Sequence, residues 1–204
     1  MATENPILMD LPMPIRTPRL LIRPKQLGDG ALTSPAVAET WDDLHQWMRW
    51  AKDLNSFTSE HMELRNRQVM ARCLLREGIE LLGIEMATSQ AVVWCGFHDM
   101  DWEARQCDMG YWVRKSAQGR SIATEATNGM LRYAFGPLGM RRVGLTHSSG
   151  NDGSRRIAEK LGFTLERIQR AANLLPGGRI ADRLCNARFD TDGLPRLDVR
   201  WGMQ

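Results

Sequence analysis

The chain has 204 residues, 43% hydrophobic and 25% charged, with a net charge of +3. That length suits one compact α/β domain with a full core and leaves two independent domains cramped, while so mild a basic excess is no nucleic-acid footprint and no nucleic-acid partner is expected. No run of roughly 18 apolar residues could span a membrane, and residues 1–20 lack the basic start and apolar stretch of a secretory signal, so a cytoplasmic protein with no membrane partner is expected.

Residues 1–16, with Pro6, Pro12 and Pro14, read as an irregular N-terminal arm. The segment TPRLLIRP at 17–24 alternates between two prolines, the pattern of a short strand bounded by breakers. Residues 29–50 place Trp41, Leu44, Trp47, Met48 and Trp50 at spacings of three and four, predicting one or two helices with an aromatic face that is core or substrate wall. Ser59 is the expected N-cap of a helix running to about residue 78.

Residues 80–86 and 91–97 are apolar runs separated by Thr88, Ser89 and Gln90, which predicts an antiparallel hairpin, and 108–113 reads as a third strand. Helices are then expected at 122–135 and 154–161, and strands at 142–147, 164–169 and 180–189. Antiparallel strands first and alternating elements later imply a single 17–189 domain of α/β (α+β) type, its mixed sheet covered by helices on both faces. The tail at 190–204 carries no pattern.

Cys73, Cys95, Cys107 and Cys185 are widely spaced with no CxxC, and His45, His61, His98 and His147 are scattered. These read as buried thiols in a reducing compartment, with no metal site.

The informative stretch is DMGYWVRKSAQGRSIATEA, residues 108–126, where a strand enters a polar loop that opens a helix at Ile122. Amides at a helix N-terminus have no intrahelical partners and sit at the positive end of its dipole, so those of residues 119–124 can wrap a pyrophosphate. Gly119 allows close backbone approach, Arg120 and Lys115 add charge, and Ala123 does not obstruct. The plainer reading of the loop is an ordinary helix start.

The run Gln118-Gly119-Arg120-Ser121-Ile122-Ala123, extended by Thr124, resembles the Q/R-x-x-G-x-G/A acyl-CoA pyrophosphate motif of the GNAT acyltransferases. Around it, the Gly110-Tyr111-Trp112-Val113 strand, the NDGS…EKLGF segment at 151–163 and TPRLLIRP are similar to the ribosomal-protein N-acetyltransferase (RimJ/RimL-like) branch, in the expected order over 17–189. One departure stands out: Ser121 occupies the place of the motif's central glycine, where a side chain restricts φ and phosphate approach.

The resemblance implies a GNAT fold, a mostly antiparallel central sheet with a splayed strand pair, and acetyl-CoA as cosubstrate for direct transfer to a primary amine, either a protein N-terminus or a small molecule. It implies that Trp112 and Val113 hold the pantetheine through main-chain groups, that Asn151 touches it, and that Ser154 protonates the departing thiolate. Asn151 and Ser154 also suit plain helix capping, and Tyr111 or Trp112 plain core packing. Arg155, Arg156 and Lys160 read as a solvated face, or as contacts for the 3′-phosphate of the coenzyme.

Direct transfer requires a neutral amine, so the site must take up a proton. Asp108 stands near where many GNAT proteins carry a catalytic carboxylate, although it equally suits a surface partner for Arg105; Glu103, His98 and His147 are further options. The branch's later carboxylate is replaced by Asn173. Glu125 suits the helix dipole better than catalysis, and Cys107, beside Asp108, is a poor nucleophile. The gap favours a weakly basic acceptor such as an α-amine, whose reference pKa is about 7.7–8.0 against about 10.4 for lysine. The competing reading is an inactive acyl-CoA-binding module. Nucleotide hydrolysis is excluded because no GxxxxGK-S/T follows a strand, and any assembly is expected to be a homodimer.

Overall fold

The computed structural model describes residues 5–202. Nine strands form one open sheet: β1 (Ile15–Arg16), β2 (Leu20–Pro24), β3 (Ile79–Glu85), β4 (Gln90–Asp101), β5 (Gln106–Val113), β6 (Arg142–Ser148), β7 (Thr164–Leu174), β8 (Ile180–Arg188) and β9 (Arg200–Trp201), in the order β7-β8-β6-β5-β4-β3-β2-β1-β9. Every pairing is antiparallel except β5 with β6. Five helices cover it: α1 (Gly30–Glu39), α2 (Trp41–Trp47), α3 (Ser59–Leu74), α4 (Ile122–Phe135) and α5 (Asp152–Lys160).

Period-2 alternation sorts the strand residues between two faces. On one face Ile22, Leu81, Cys95, Phe97, Met109 and Leu145 pack against Ile122, Ala126, Met130 and Leu131 of α4, forming the main core. Met130 and Leu131 are fully buried, so truncating either to alanine removes about 2–5 kcal/mol. On the other face Leu82, Trp94 and Trp112 meet Ala36 of α1. Here Trp94 and Trp112 stack with centroids 4.1 Å apart and planes 3° from parallel. The α1–α3 crossing depends on Gly30, where a Cβ would come within 2.5 Å of the Glu63 amide nitrogen.

Several boundaries differ from the sequence expectation. The segment read as an irregular arm ends in β1, because Ile15 is fully buried under α4 and pairs with Ile22; the tail likewise supplies β9, which pairs with β1. Thr58, not Ser59, caps α3, its hydroxyl accepting from the His61 amide at 3.2 Å. β7 runs on to Leu174 past a register shift between Gln169 and Asn173, where Ala171 adopts φ 51° and breaks the alternation that marks a strand.

Candidate active site

Parallel pairing of β5 with β6 covers only Gln106–Met109 against Arg142–Leu145. Beyond it the strands part, and a cleft opens between Gly110–Val113 and Thr146–Ser148; with the groove along α3 that joins it, it encloses about 1060 Å³. The Arg114 amide donates to the Val92 carbonyl at 2.9 Å and Trp112 lies opposite Trp94. Main-chain groups alternate sides in an antiparallel ladder, so Gly110 and Trp112 turn theirs to β4 while Tyr111 and Val113 turn theirs to the opening. This corrects the expectation for Trp112: its indole lines the cleft, but its peptide is committed to the sheet.

The loop after β5 closes one end of the cleft. Its Gly119 (φ 71°) and Ser121 (φ 61°, ψ 17°) are both left-handed, and the Ser121 hydroxyl makes no cap. The first helical hydrogen bond of α4 runs from the Glu125 amide to the Ser121 carbonyl at 3.0 Å, and the amides of residues 119–124 have no acceptor among the described residues. Nothing lies within 4 Å of the space beside Gly119. Gln118, Gly119, Ser121, Ile122, Ala123 and Thr124 all line the cleft.

Arg120 contributes main chain only. Its guanidinium turns away to the buried Glu85 carboxylate, and its carbonyl accepts from Arg19 Nη1 at 2.9 Å. Charge at the loop's outer side is organised by Asp43, which holds Lys115 Nζ at 2.8 Å and Gln118 Nε2 at 3.0 Å. Burial pushes the Asp43 carboxyl up, but Lys115 and Gln118 outweigh it and leave the group below its ordinary value. Gln118 Nε2 also reaches the Val113 carbonyl at 3.2 Å, leaving the Val113 amide for the cleft. Glu125 is structural, accepting from Thr17 Oγ1 at 2.6 Å and the Arg19 amide at 2.9 Å.

Across the cleft, Asn151 caps α5, its Oδ1 accepting from the Ser154 amide at 3.1 Å, and both residues line the opening. The Tyr111 phenol is pushed up to about 12 by burial, with the neighbouring Ser154 hydroxyl acting in the opposite sense; the contact falls short of a well-formed hydrogen bond. Arg155 belongs to a surface row with Asp152 (3.1 Å) and Glu159 (2.7 Å). Arg156 and Lys160 line the cleft instead.

Asp108 is not brought to the cleft. It lies at the closed end of the β5–β6 pair, its Oδ1 3.6 Å from Arg142 Nη1 and packed over Gly144, where an added Cβ would fall 1.9 Å from that oxygen. Arg142, not Arg105, is therefore its partner. Nor do the cysteines offer a nucleophile: burial pushes Cys95 to about 12, and burial with the adjacent Asp108 does the same for Cys107.

Two histidines do line the opening. His147 is buried, with Nδ1 3.2 Å from the Ser148 carbonyl. His98 is half exposed on the helix-covered face of β4, its Nδ1 2.9 Å from Asp99 Oδ2 and its Nε2 3.6 Å from where a Cβ on Gly110 would sit. An imidazole anchored at one nitrogen by a carboxylate keeps the other free for proton exchange. Gly110, without a side chain, leaves that nitrogen open to the cleft.

The face bearing α1, α2 and α3 carries a groove that runs into the same opening. Met62, Arg65, Asn66, Val69 and Arg72 present one face of α3 to it, with Trp47 and Trp50 at its end. Trp41 is not part of the lining; it packs on Val37 and Leu44 and stacks on His45 at 5.2 Å. Asn173 lines the groove, with Nδ2 donating to Ser148 Oγ and Oδ1 accepting from Arg183 Nε, both at 2.8 Å. The sequence reading passed over the α3 face, although spacings of three and four from 62 to 72 were its signal.

Among known proteins, the chain is similar to a putative ribosomal N-acetyltransferase, YdaF, of Bacillus subtilis (strain 168), at 28% identity over 149 residues, 72% of this chain and 76% of the relative. Mycobacterium smegmatis RimJ, solved in complex with CoA-disulfide, superposes with a TM-score of 0.81 at 22% identity over 95% of this chain and 93% of that one. The microcin self-immunity acetyltransferase MccE, in complex with acetyl-CoA and AMP, does so at 0.77 and 19% identity over 84% and 93%. The acetyltransferase (GNAT) domain matches residues 19–164. With the splayed pair, the open amide loop and this match in agreement, the chain belongs to the GNAT acetyltransferase family.

Proposed function

We propose that this acetyltransferase takes its acetyl group from acetyl-CoA and delivers it to the N-terminal α-amine of a polypeptide. The observation that carries the reading is the run of six consecutive amides, residues 119–124, without acceptors among the described residues, at the mouth of a parted strand pair. Donors left open at a helix N-terminus fit a pyrophosphate. Ala123, Thr124 and the main chain of Gln118, Arg120 and Ile122 complete that cradle. Tyr111 and Val113 main-chain groups and the Asn151 carboxamide hold the pantetheine, and Arg156 and Lys160 lie at the end suited to the 3′-phosphate. When bound, acetyl-CoA supplies an activated acyl thioester.

The amine enters from the groove on the α3 side. The Tyr111 or Val113 amide facing the opening steadies charge on the acyl oxygen as the amine nitrogen bonds to carbon. His98 Nε2, held in place through Nδ1 by Asp99, takes the amine proton. On the opposite face Ser154 Oγ gives a proton to the sulfur as the C–S bond breaks and regains one from solvent, to which His98 releases the amine proton. Asp108, engaged with Arg142 outside the cleft, has no part in this sequence. An α-amine fits because its pKa, about 7.7–8.0 against about 10.4 for lysine, asks little of a half-exposed imidazole.

The N-acetyltransferase names of the relatives support the reading. Calorimetry with acetyl-CoA and thiol release with a panel of N-terminal peptides and lysine-blocked controls test it. Heat on binding and thiol release that depends on a free α-amine are expected. Absence of binding, or transfer confined to lysine side chains, rejects it.

A further inference from the structure

We infer that the acceptor polypeptide carries acidic residues just behind its N-terminus, read by arginines on α3; the inference rests on the acetyl transfer proposed above. The cleft's own carboxylates are already engaged: Asp43 with Lys115 at 2.8 Å, Glu80 with Lys25 at 3.3 Å, and Asp152 with Arg155 at 3.1 Å. Its arginines on the acceptor side are engaged only in part. Arg49 and Arg65 have no carboxylate partner among the described residues, Arg65 only lying 6.0 Å over the Trp50 ring. Arg72 has Glu77 at 3.8 Å with both side chains half exposed, and Arg183 spends its donors on Asn173 and the Ala172 carbonyl. These cations stand on the groove side and not on α5, so the coenzyme's phosphates do not account for them.

Their spacing selects an extended chain over a small anion. Arg65 and Arg72 are two turns apart on one helix face, about 10 Å along the axis, the length of about three residues of an extended strand. Between them stands Asn66, 1% exposed, whose Nδ2 has no acceptor among the described residues. A buried amide is normally paired, and a peptide main-chain carbonyl laid along α3 would pair it. Acidic side chains two to three residues apart on that peptide would meet the guanidinium groups with bidentate geometry. A lysine-rich N-terminus would be repelled along the same row.

The test is thiol release from acetyl-CoA with two hexapeptides that share residues 1 and 2 and carry glutamate or lysine at positions 3–6. The acidic peptide should show a kcat/KM higher by roughly tenfold at low salt, from two partly exposed ion pairs, with the gap narrowing as salt rises. Arg65→Glu with Arg72→Glu should abolish or invert the ratio; Arg72→Glu alone, at a half-exposed position, should shrink it and keeps the test available if the double variant misfolds. Equal rates for the two peptides, or a preference untouched by Arg72→Glu, overturns the inference while acetyl transfer itself stands. Failure to bind acetyl-CoA overturns both.

Discussion

Replacing Ser121 with glycine probes the departure of this loop from its family's motif. Ser121 holds φ 61° and ψ 17° without a capping bond to offset the conformation. An L-residue in the left-handed region costs about 1–2 kcal/mol, which glycine removes. Glycine in turn raises the entropy of the unfolded chain, an opposing effect of about 0.4–1 kcal/mol. The net is a stabilisation of about 0.5–1 kcal/mol, or an increase in Tm of about 1–4 °C for a chain of this size. Because the loop amides are already splayed open around Gly119 and Ser121, acetyl-CoA affinity should hold or tighten. Thermal unfolding with calorimetry on the Ser121→Gly and Ser121→Ala variants reads both quantities. A lower Tm for Ser121→Gly, or a tenfold loss of affinity shared by both variants, would refute the strain argument and show that the hydroxyl itself binds phosphate.

Ser154→Ala should lower kcat on the order of 10²-fold while acetyl-CoA affinity stays within about twofold, measured by steady-state kinetics beside calorimetry. His98→Gln should cost a similar factor at neutral pH, with the deficit shrinking as pH rises because the amine then loses its proton unaided; a deficit independent of pH would remove His98 as proton acceptor. Asp108→Asn should leave kcat/KM within about twofold and lower stability by at most about 1 kcal/mol, the worth of a partly exposed pair. The Asp29 carboxyl is pushed up by burial, but the Arg23 guanidinium at 2.7 and 2.8 Å and the Gln26 amide bring it below its ordinary value. A depressed carboxyl lends stability above its unfolded pKa of about 3.9 that is lost as pH falls through the folded value. Asp29→Asn should therefore destabilise by about 1.5–3 kcal/mol at pH 7, a difference that closes below about pH 4 in acid titrations of unfolding.

Local chemistry was legible in the sequence where it is decided by neighbours. The strand expected at 17–24, the cap at Asn151 and the loop into α4 each rest on a few adjacent residues; the cap and the loop stand where the spacing puts them, and the strand occupies Leu20–Pro24 after a turn at 17–19. What depends on partners far along the chain was hidden. Whether Trp112 or Tyr111 offers its peptide to the cleft follows from the pairing with Trp94 and Cys95, a register no periodicity reveals. Asp108 lies at the closed end of its strand because β6 crosses in parallel with Gly144 beside it. Arg120 leaves the loop for Glu85, a buried carboxylate 35 residues away. His98 became distinct from the other histidines only through Asp99 and the bare surface of Gly110.

Arg19 has a mechanical consequence. Its Nε sits 2.5 Å from Glu125 Oε2 and its Nη1 reaches the Arg120 carbonyl, so one guanidinium brackets the first turn of α4 and the loop residue that precedes its N-cap. The backbone disorder that a slack nucleotide-type loop would surrender on every round of catalysis is surrendered here once, when the N-terminal strand docks. Arrival and departure of the nucleotide half of the cosubstrate then proceed against a fixed template, and loosening that bracket would slow neither bond making nor bond breaking but would weaken each encounter.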